Sequence, residues 1–355
     1  MKNLLSNSLY LEDVKYVAAM ELPWDKLLNK QILITGAGGL IGSFLVDVLM
    51  WRNKNAGMNC TIYAMGRNEI AAKERFSSYW EDSKFIFMKH DISSPLFGEV
   101  KFDYILHLAS NTHPISYTTW PVSTITTNVT GTDNLLKYAI GHNCKRFLFA
   151  SSNEIYGENR GDVELFTETY CGYINANTLR AGYPESKRCG EALCQAYLKE
   201  KGIDVVIPRF TRTYGPTMLM ADTKAVSQFI KKAVKNEDII LKSEGNQFYS
   251  YAYVADAVAG LFIILLCGQC GEAYNIADNC SDIMLKDLAK IAANICQTEV
   301  VFHVPEEVEK AGYSTATKAR LDGSKLKGLG WNMKYDIYAG MERTIKILKE
   351  LNDQN

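Results

Sequence analysis

The 355-residue sequence predicts an α/β fold, a doubly wound parallel sheet followed by a smaller C-terminal α/β lobe. Three observations carry this. A short apolar strand at 31–34 runs straight into a glycine-rich turn and then a helix. Short apolar runs alternate with helical stretches as far as Pro208, the pattern of parallel strands joined by right-handed crossovers. Beyond Pro208 the alternation loosens, and short strands mix with helices.

Taken in order, residues 1–28 carry Leu, Val, Met and Trp among charges and predict a helical extension ahead of the first strand. The strand at 31–34 and a helix over 43–51 flank the glycine turn. A polar linker at 52–59 leads to a second strand at 60–65, which ends on Gly66-Arg67-Asn68. Further strands are predicted at 85–88, 104–108, 146–150 and 205–208, with helices near 70–80, 121–141 and 183–201 between them. The looser remainder predicts strands at 238–242 and 273–276, and helices at 223–235, 254–266 and 285–296. The expected division is an extension over 1–28, a dinucleotide-binding domain over 29–208 joined by 223–258, and a substrate lobe from 209–222 and 259–355.

Composition narrows the function classes. The 47% hydrophobic and 22% charged fractions are ordinary for a soluble globular chain. A formal net charge of −1 argues against nucleic acid or a membrane surface as partner. The apolar run Phe262-Ile-Ile-Leu-Leu266 is too short to span a bilayer. Of nine cysteines, only Cys267-Gly-Gln-Cys270 forms a C-x-x-C, with no second pair or histidine at ligand spacing, so no metal site is expected. The odd count, with no signal peptide in view, predicts reduced thiols in a cytoplasm.

The turn Thr35-Gly36-Ala-Gly38-Gly39-Leu40-Ile41-Gly42 sits where a dinucleotide site needs it, between strand and helix. Such glycines permit a tight turn, close approach to a pyrophosphate and close helix–strand packing. The helix start, with Leu40 and Ile41, offers free N–H groups and a positive dipole end. An acidic residue at the end of the second strand would take a ribose 2′-hydroxyl; Gly66-Arg67 stands there instead and favours a 2′-phosphate, hence NADP over NAD. Asp91 and Ile92, after the third strand, are placed to bracket the adenine. Tyr183 and Lys187, four apart, share a helix face, and an ammonium beside a phenol favours phenolate, which makes Tyr183 a candidate base.

With the glycine turn, His107-Leu108-Ala109, Asn128-x-x-Gly131-Thr132, Ser151-Ser-Asn-Glu-Ile-Tyr-Gly157 and Tyr183-x-x-x-Lys187 in this order, the chain resembles the extended short-chain dehydrogenase/reductases. These are NAD(P)-dependent sugar epimerases, dehydratases and decarboxylases. The likeness covers roughly residues 30–335 and ends in Leu321-Asp-Gly-Ser-Lys325…Leu329-Gly-Trp331. It implies a Rossmann sheet and a tightly held NAD or NADP, bordered also by Leu108, Ala109 and Asn128. It further implies that Tyr183 takes a proton from a sugar hydroxyl, Ser152 bonds that hydroxyl, and Lys187 holds the nicotinamide ribose and lowers the tyrosine pKa. The strategy so implied is transient oxidation, normally at C4 of a hexose, to a ketone that labilises neighbouring bonds before the hydride returns.

Glu154 stands where dehydratases and decarboxylases, but not simple 4-epimerases, tend to carry a carboxylate. Asn153 replaces the acid aspartate of dTDP-glucose dehydratases. The run Glu168-Thr-Tyr170…Asn175…Arg180-Ala-Gly-Tyr183-Pro-Glu185-Ser-Lys187-Arg188 is most similar to UDP-glucuronate decarboxylases, and implies that Asn175 and Arg180 line the site entrance. Three positions depart from that family's pattern: Arg212 replaces an asparagine, and Thr217 and Tyr249 each replace an arginine facing phosphate. With Asn153, Arg180, Arg212, Tyr249 and Arg320 as candidate substrate contacts, the expectation is an anionic substrate held differently, a nucleotide-linked sugar or a sugar phosphate. The alternative is that Tyr249 and Tyr251 stack on a nucleobase within the ordinary design.

The first expectation is therefore a decarboxylase-like enzyme oxidising C4, with Glu154 near the reacting centre. An epimerase, a 4,6-dehydratase and an NADPH-dependent keto-sugar reductase follow. A non-catalytic NAD(P)-binding scaffold or sensor is a further alternative, against which the intact Ser152, Tyr183 and Lys187 weigh. The resemblance also implies a homodimer through a four-helix contact, for which Ala192, Leu193, Ala196, Leu135, Leu136 and Ala139 are compatible positions.

Overall fold

The computed structural model describes residues 3–112, 117, 119–303 and 317–353. Its large sheet contains β1 (Gln31–Thr35), β2 (Thr61–Gly66), β3 (Phe85–Lys89), β4 (Tyr104–His107), β5 (Arg146–Phe149), β6 (Ser151–Ser152), β7 (Val205–Phe210) and β11 (Ala273–Ile276). The order is β11-β7-β5-β4-β1-β2-β3, with β6 also on β7, and every pairing is parallel. Central strands such as β4 and β7 are buried along their whole length, because helices cover both faces of a parallel sheet; that is why they read as continuous apolar runs. Strand order reverses at β1, between β4 and β2, and ligands of open α/β sheets bind outside the carboxyl ends of strands at such a reversal.

Helices α1 (Ser8–Ala18), α2 (Leu40–Ala56), α3 (Glu69–Arg75), α4 (Pro121–Gly141) and α5 (Gly182–Lys201) precede the smaller lobe. Gly57 and Gly202 close α2 and α5 in the left-handed region, a common helix stop. The N-terminal extension forms α1, capped by the Asn7 side chain, which accepts from Tyr10 N. A buried network docks it: Tyr10 donates to Asp47 of α2, which also pairs with Arg75 of α3 at 2.5 Å.

The smaller lobe holds α6 (Ala225–Val234), α8 (Leu285–Cys296) and α9 (Ile337–Asp353), and two small sheets. One orders β12 (Asp282–Met284), β10 (Phe248–Tyr253) and β14 (Lys318–Ala319), with β8 (Arg212–Tyr214) also on β10; the other pairs β9 (Ile239–Leu241) with β13 (Val300–Phe302).

The boundaries differ from the sequence-based division in two places. Residues 259–276, assigned there to the substrate lobe, belong with the large sheet. Within them β11 pairs with β7, and α7 (Val254–Cys267), buried almost throughout, packs on α1 and α2. Conversely α6, grouped there with the large domain, packs on α8, α9 and β9. The physical reason is that α6 has one apolar stripe, with Val226, Phe229, Ile230 and Ala233 buried, which the small lobe covers. Leu135, Leu136 and Ala139 lie in the chain's own core beneath the sheet, so they are not surface positions; Val122 and Ile125 of α4 are the exposed apolar residues there.

Candidate active site

A cavity of about 780 Å³ runs from the glycine turn, past the start of α5, into the smaller lobe. At its first end the chain leaves β1 through Gly36, whose φ is +68° and where a Cβ would lie 2.8 Å from the Ala109 backbone. Gly42 likewise has no room for a side chain against the Gly36 carbonyl. This bare backbone and the amides that open α2 fit a pyrophosphate. Gly39, Leu40, Ile41, Leu108 and Ala109 line the same stretch, with Arg67, Asp91 and Ile92 beyond β2 and β3. Arg67 and Asp91 form a loose ion pair at 3.8 Å. The Ser93 amide holds the Asp91 carboxyl below its usual range.

His107 fixes the wall beneath this stretch. Its Nδ1 faces Thr35 Oγ1 at 2.9 Å and its Nε2 faces Thr132 Oγ1 at 3.1 Å. Thr35 Oγ1 already accepts from the Ala109 amide, and Thr132 already donates to the Asn128 carbonyl. The ring therefore accepts at Nδ1 and donates at Nε2. Burial, with help from the Lys187 charge, lowers its pKa to about 3, so it stays neutral.

At the centre, Ser152 and Tyr183 come from opposite sides. β6 aligns Ser152 with Phe210 of β7, and the Ser152 hydroxyl caps the turn Asn153–Tyr156 by accepting from Glu154 N at 3.2 Å. α5 places Tyr183 and Lys187 one turn apart, both buried and both on the cavity. Burial, then the Glu154 charge, raises the Tyr183 pKa; the Ser152 hydroxyl, Arg180 and the Ser110 hydroxyl oppose this. Lys187 donates to the Ala150 carbonyl at 2.8 Å, and burial lowers its pKa to about 7. Lys187 is thus not among the largest influences on Tyr183 here, unlike the sequence expectation.

Glu154 and Arg180 also line the cavity, but they are spent on each other. Arg180 Nη2 donates to both Glu154 oxygens, at 2.8 and 2.7 Å. The guanidinium lies 4.9 Å from the Tyr117 ring centre, and Tyr117 stacks on Tyr183 at 4.8 Å. Glu154, Arg180, Tyr117 and Tyr183 therefore form one contiguous column.

The far end holds Asn153, Arg212 and Tyr249, all on the cavity wall. Lys224 joins them, paired with Asp222 at 3.3 Å.

Three sequence candidates do not reach the cavity. Asn128 is fully buried between helices, accepting from Ser110 Oγ at 2.7 Å and donating to Ser186 Oγ at 2.9 Å. It ties Ser110 to α5. Arg320 pairs with Glu164 at 2.9 Å and stacks on Phe248, away from the wall. Asn175, expected at the entrance, caps its own turn by accepting from Asn177 N. Thr217, at a departure from the decarboxylase pattern, donates to the Leu40 carbonyl at 2.7 Å and so ties the small-lobe segment to the start of α2.

Sequence reading missed Ser110, Tyr117 and Lys224. Ser110 follows the His107-Leu-Ala109 motif directly, which was an available signal; Tyr117 and Lys224 had none, since only the tertiary fold brings them in.

Residues 32–277 match the family model described as the NAD dependent epimerase/dehydratase family. The chain is 35% identical over 316 residues to UDP-glucuronic acid decarboxylase 6 of Arabidopsis thaliana, spanning 88% of this chain and 87% of that one. In fold it is similar to a double mutant of dTDP-glucose 4,6-dehydratase from Streptomyces venezuelae solved with NAD, at a TM-score of 0.78, 23% identity, and 91% and 98% coverage of the two chains. UDP-glucuronic acid 4-epimerase from Bacillus cereus, solved with UDP-glucuronic acid and NAD, gives a TM-score of 0.76, 22% identity, and 90% and 99% coverage. With a model match over most of its length and a relative above 30% identity matched over most of both chains, the chain belongs to the NAD dependent epimerase/dehydratase family.

Proposed function

We propose that the chain is an NAD(P)-dependent enzyme that oxidises a hydroxyl of a nucleotide-linked or phosphorylated sugar to a transient ketone, and that its net reaction is decarboxylation. The observation that carries this reading is the single cavity joining the glycine turn to Ser152, Tyr183, Lys187 and a carboxylate at Glu154. Relatives named UDP-glucuronic acid decarboxylase support the choice of reaction.

On this reading Tyr183 acts as its phenolate, whose oxygen receives the C4 hydroxyl proton, with Ser152 and Ser110 beside it on the cavity wall. The bound nicotinamide supplies the hydride acceptor. The C4 ketone of a uronate stands β to its carboxylate, so the C5–C6 bond breaks, carbon dioxide leaves, and the electron pair becomes an enolate. Water supplies a proton to C5, the hydride returns to C4, and Tyr183 gives its proton back to the C4 oxygen, so that one carbon dioxide leaves for each proton taken up. Glu154, clamped by Arg180, lies in the wall near this centre, and on this reading Lys187 holds the nicotinamide ribose.

For the cofactor, the reading favours NADP. Arg67 closes β2 with no carboxylate on that strand end, and a hollow beside it is lined by Arg67, Asn68, Lys73 and Lys89 as well as Glu69 and Ile70. The test is a panel of UDP-, dTDP-, GDP- and CDP-sugars and free sugar phosphates, with products and released dinucleotide read by mass spectrometry. Loss of carbon dioxide from a uronate and release of NADP are the expected results. Turnover of neutral hexoses only would replace decarboxylation by epimerisation or dehydration, and NAD alone would remove the NADP preference.

The reading includes a homodimer through α4 and α5. The exposed residues Val122, Ile125, Ala192 and Ala196 would form that contact. Sedimentation at twice the chain mass is expected; a monomer mass at working concentration would contradict it.

A further inference from the structure

On the wall of the small lobe, Arg212 has no carboxylate partner among the described residues. Arg212 lies on β8, a parallel neighbour of β10 in which Arg212 stands opposite Tyr251. Tyr249 lies two residues before Tyr251, so residues 212 and 249 are diagonal neighbours on one face of the sheet. Their side chains touch: the Arg212 guanidinium carbon lies 3.3 Å from the centre of the Tyr249 ring. Both line the cavity. Arg212 Nη1 is buried and has no hydrogen-bond partner, and no carboxylate among the described residues pairs with the group.

The contrast with its neighbours is informative. Arg180 has Glu154, Arg209 has Glu191, Arg320 has Glu164, and Lys224 has Asp222. Arg212 is half-buried, and the ring beneath it offsets only part of the water that the buried side of the group has lost. A protein keeps such an arrangement where an anion from outside completes it.

We propose that Arg212, held flat on Tyr249, is the receptor for a phosphoryl anion of the substrate. The proposal rests on the reading that the cavity takes a phosphate-bearing sugar, and it specifies where that phosphate is gripped. It also accounts for the departures at 212 and 249 together. The cation is moved one strand across while its charge stays over the same patch of the wall, so the two replacements form one exchange rather than two losses. The guanidinium, held against the ring on the cavity wall, is of the type that favours bidentate bonds to phosphate oxygens.

The phosphate has two sources, the diphosphate of a nucleotide-linked sugar or the ester of a sugar phosphate, and a binding experiment separates them. Calorimetric titration of the NAD-supplemented protein with uridine, UDP, UDP-glucuronic acid and glucose 1-phosphate is compared among wild type, Arg212→Lys, Arg212→Met and Tyr249→Phe. Arg212→Met is expected to weaken the phosphorylated ligands roughly 10- to 100-fold while leaving uridine unchanged, the loss appropriate to a charge-assisted hydrogen-bond pair. Arg212→Lys, which keeps the charge without the fork, falls between, and Tyr249→Phe, which keeps the ring, stays within about threefold of wild type. A dependence on Arg212 confined to UDP and UDP-glucuronic acid assigns a diphosphate; the same dependence for glucose 1-phosphate assigns a sugar ester. Equal affinities of wild type and Arg212→Met for every phosphorylated ligand overturn the proposal. The outcome is independent of turnover: a protein that binds UDP through Arg212 yet transfers no hydride would leave this site standing and remove the catalytic reading instead.

Discussion

Replacing Tyr183 by phenylalanine lowers turnover of the productive sugar substrate by about 100- to 10,000-fold, the usual contribution of a positioned acid–base group. Dinucleotide affinity stays within about threefold. The reasons are local. Phenylalanine keeps the ring that stacks on Tyr117 and the helix that carries Lys187, so the cofactor wall is preserved. What is lost is the oxygen that receives the substrate proton. Ser110 keeps its bond to Asn128 and Ser152 keeps its cap on Glu154 N, so the surrounding wall is unchanged. Steady-state kinetics and equilibrium dialysis of the dinucleotide check this together. Turnover within threefold of wild type would remove Tyr183 from the chemistry.

Glu154→Gln carries the second large effect. On the proposed reading Glu154 acts after oxidation, so product formation falls about 100-fold or more while initial hydride transfer falls less. The variant also moves the pH profile in a defined direction. The Glu154 charge opposes phenolate formation at Tyr183, and the Arg180 charge favours it. Glutamine removes the first and frees the second from its ion pair, so both changes lower the phenol pKa. The limb of the rate profile governed by Tyr183 therefore shifts to lower pH. A stability cost accompanies this, since Arg180 loses its only carboxylate among the described residues in a largely buried place, worth about 3 kcal/mol. Arg180→Lys separates the two effects, because it keeps a cation beside Glu154. Unchanged product formation in Glu154→Gln would make the carboxylate a structural anchor for Arg180 and withdraw the main support for decarboxylation.

The first two-thirds of the fold was legible because its signals are local. Gln31–Thr35, Tyr104–His107 and Val205–Phe210 are buried parallel strands, and each reads as an apolar run. The glycine turn announces itself through residues adjacent in sequence. The smaller lobe was harder because its pairings join distant short segments: β10 is flanked by β8, β12 and β14, of which β14 has two residues. The β11–β7 pairing likewise depends on a contact no local pattern encodes, and so residues 259–276 fell on the wrong side of the boundary.

The site shows the same division. Ser152, Tyr183 and Lys187 stand in motifs and meet at the cavity. Asn128 stands in a motif too, but its side chain is consumed by Ser110 and Ser186, a distinction spacing cannot express. Arg320 read as an anion ligand from charge alone, yet Glu164 already answers it. Arg212 and Tyr249 read as two departures, and only the register of β8 against β10 reveals them as one contact.

The central claim is reversible alcohol oxidation by a nicotinamide at Tyr183. It is tested most directly by mixing the cofactor-loaded protein with UDP-glucuronic acid deuterated at C4 and analysing the dinucleotide and sugar after rapid quenching. The account predicts transient deuterated reduced nicotinamide in wild type and none in Tyr183→Phe. Decarboxylated product carrying its deuterium, with no label ever reaching the dinucleotide, would contradict it.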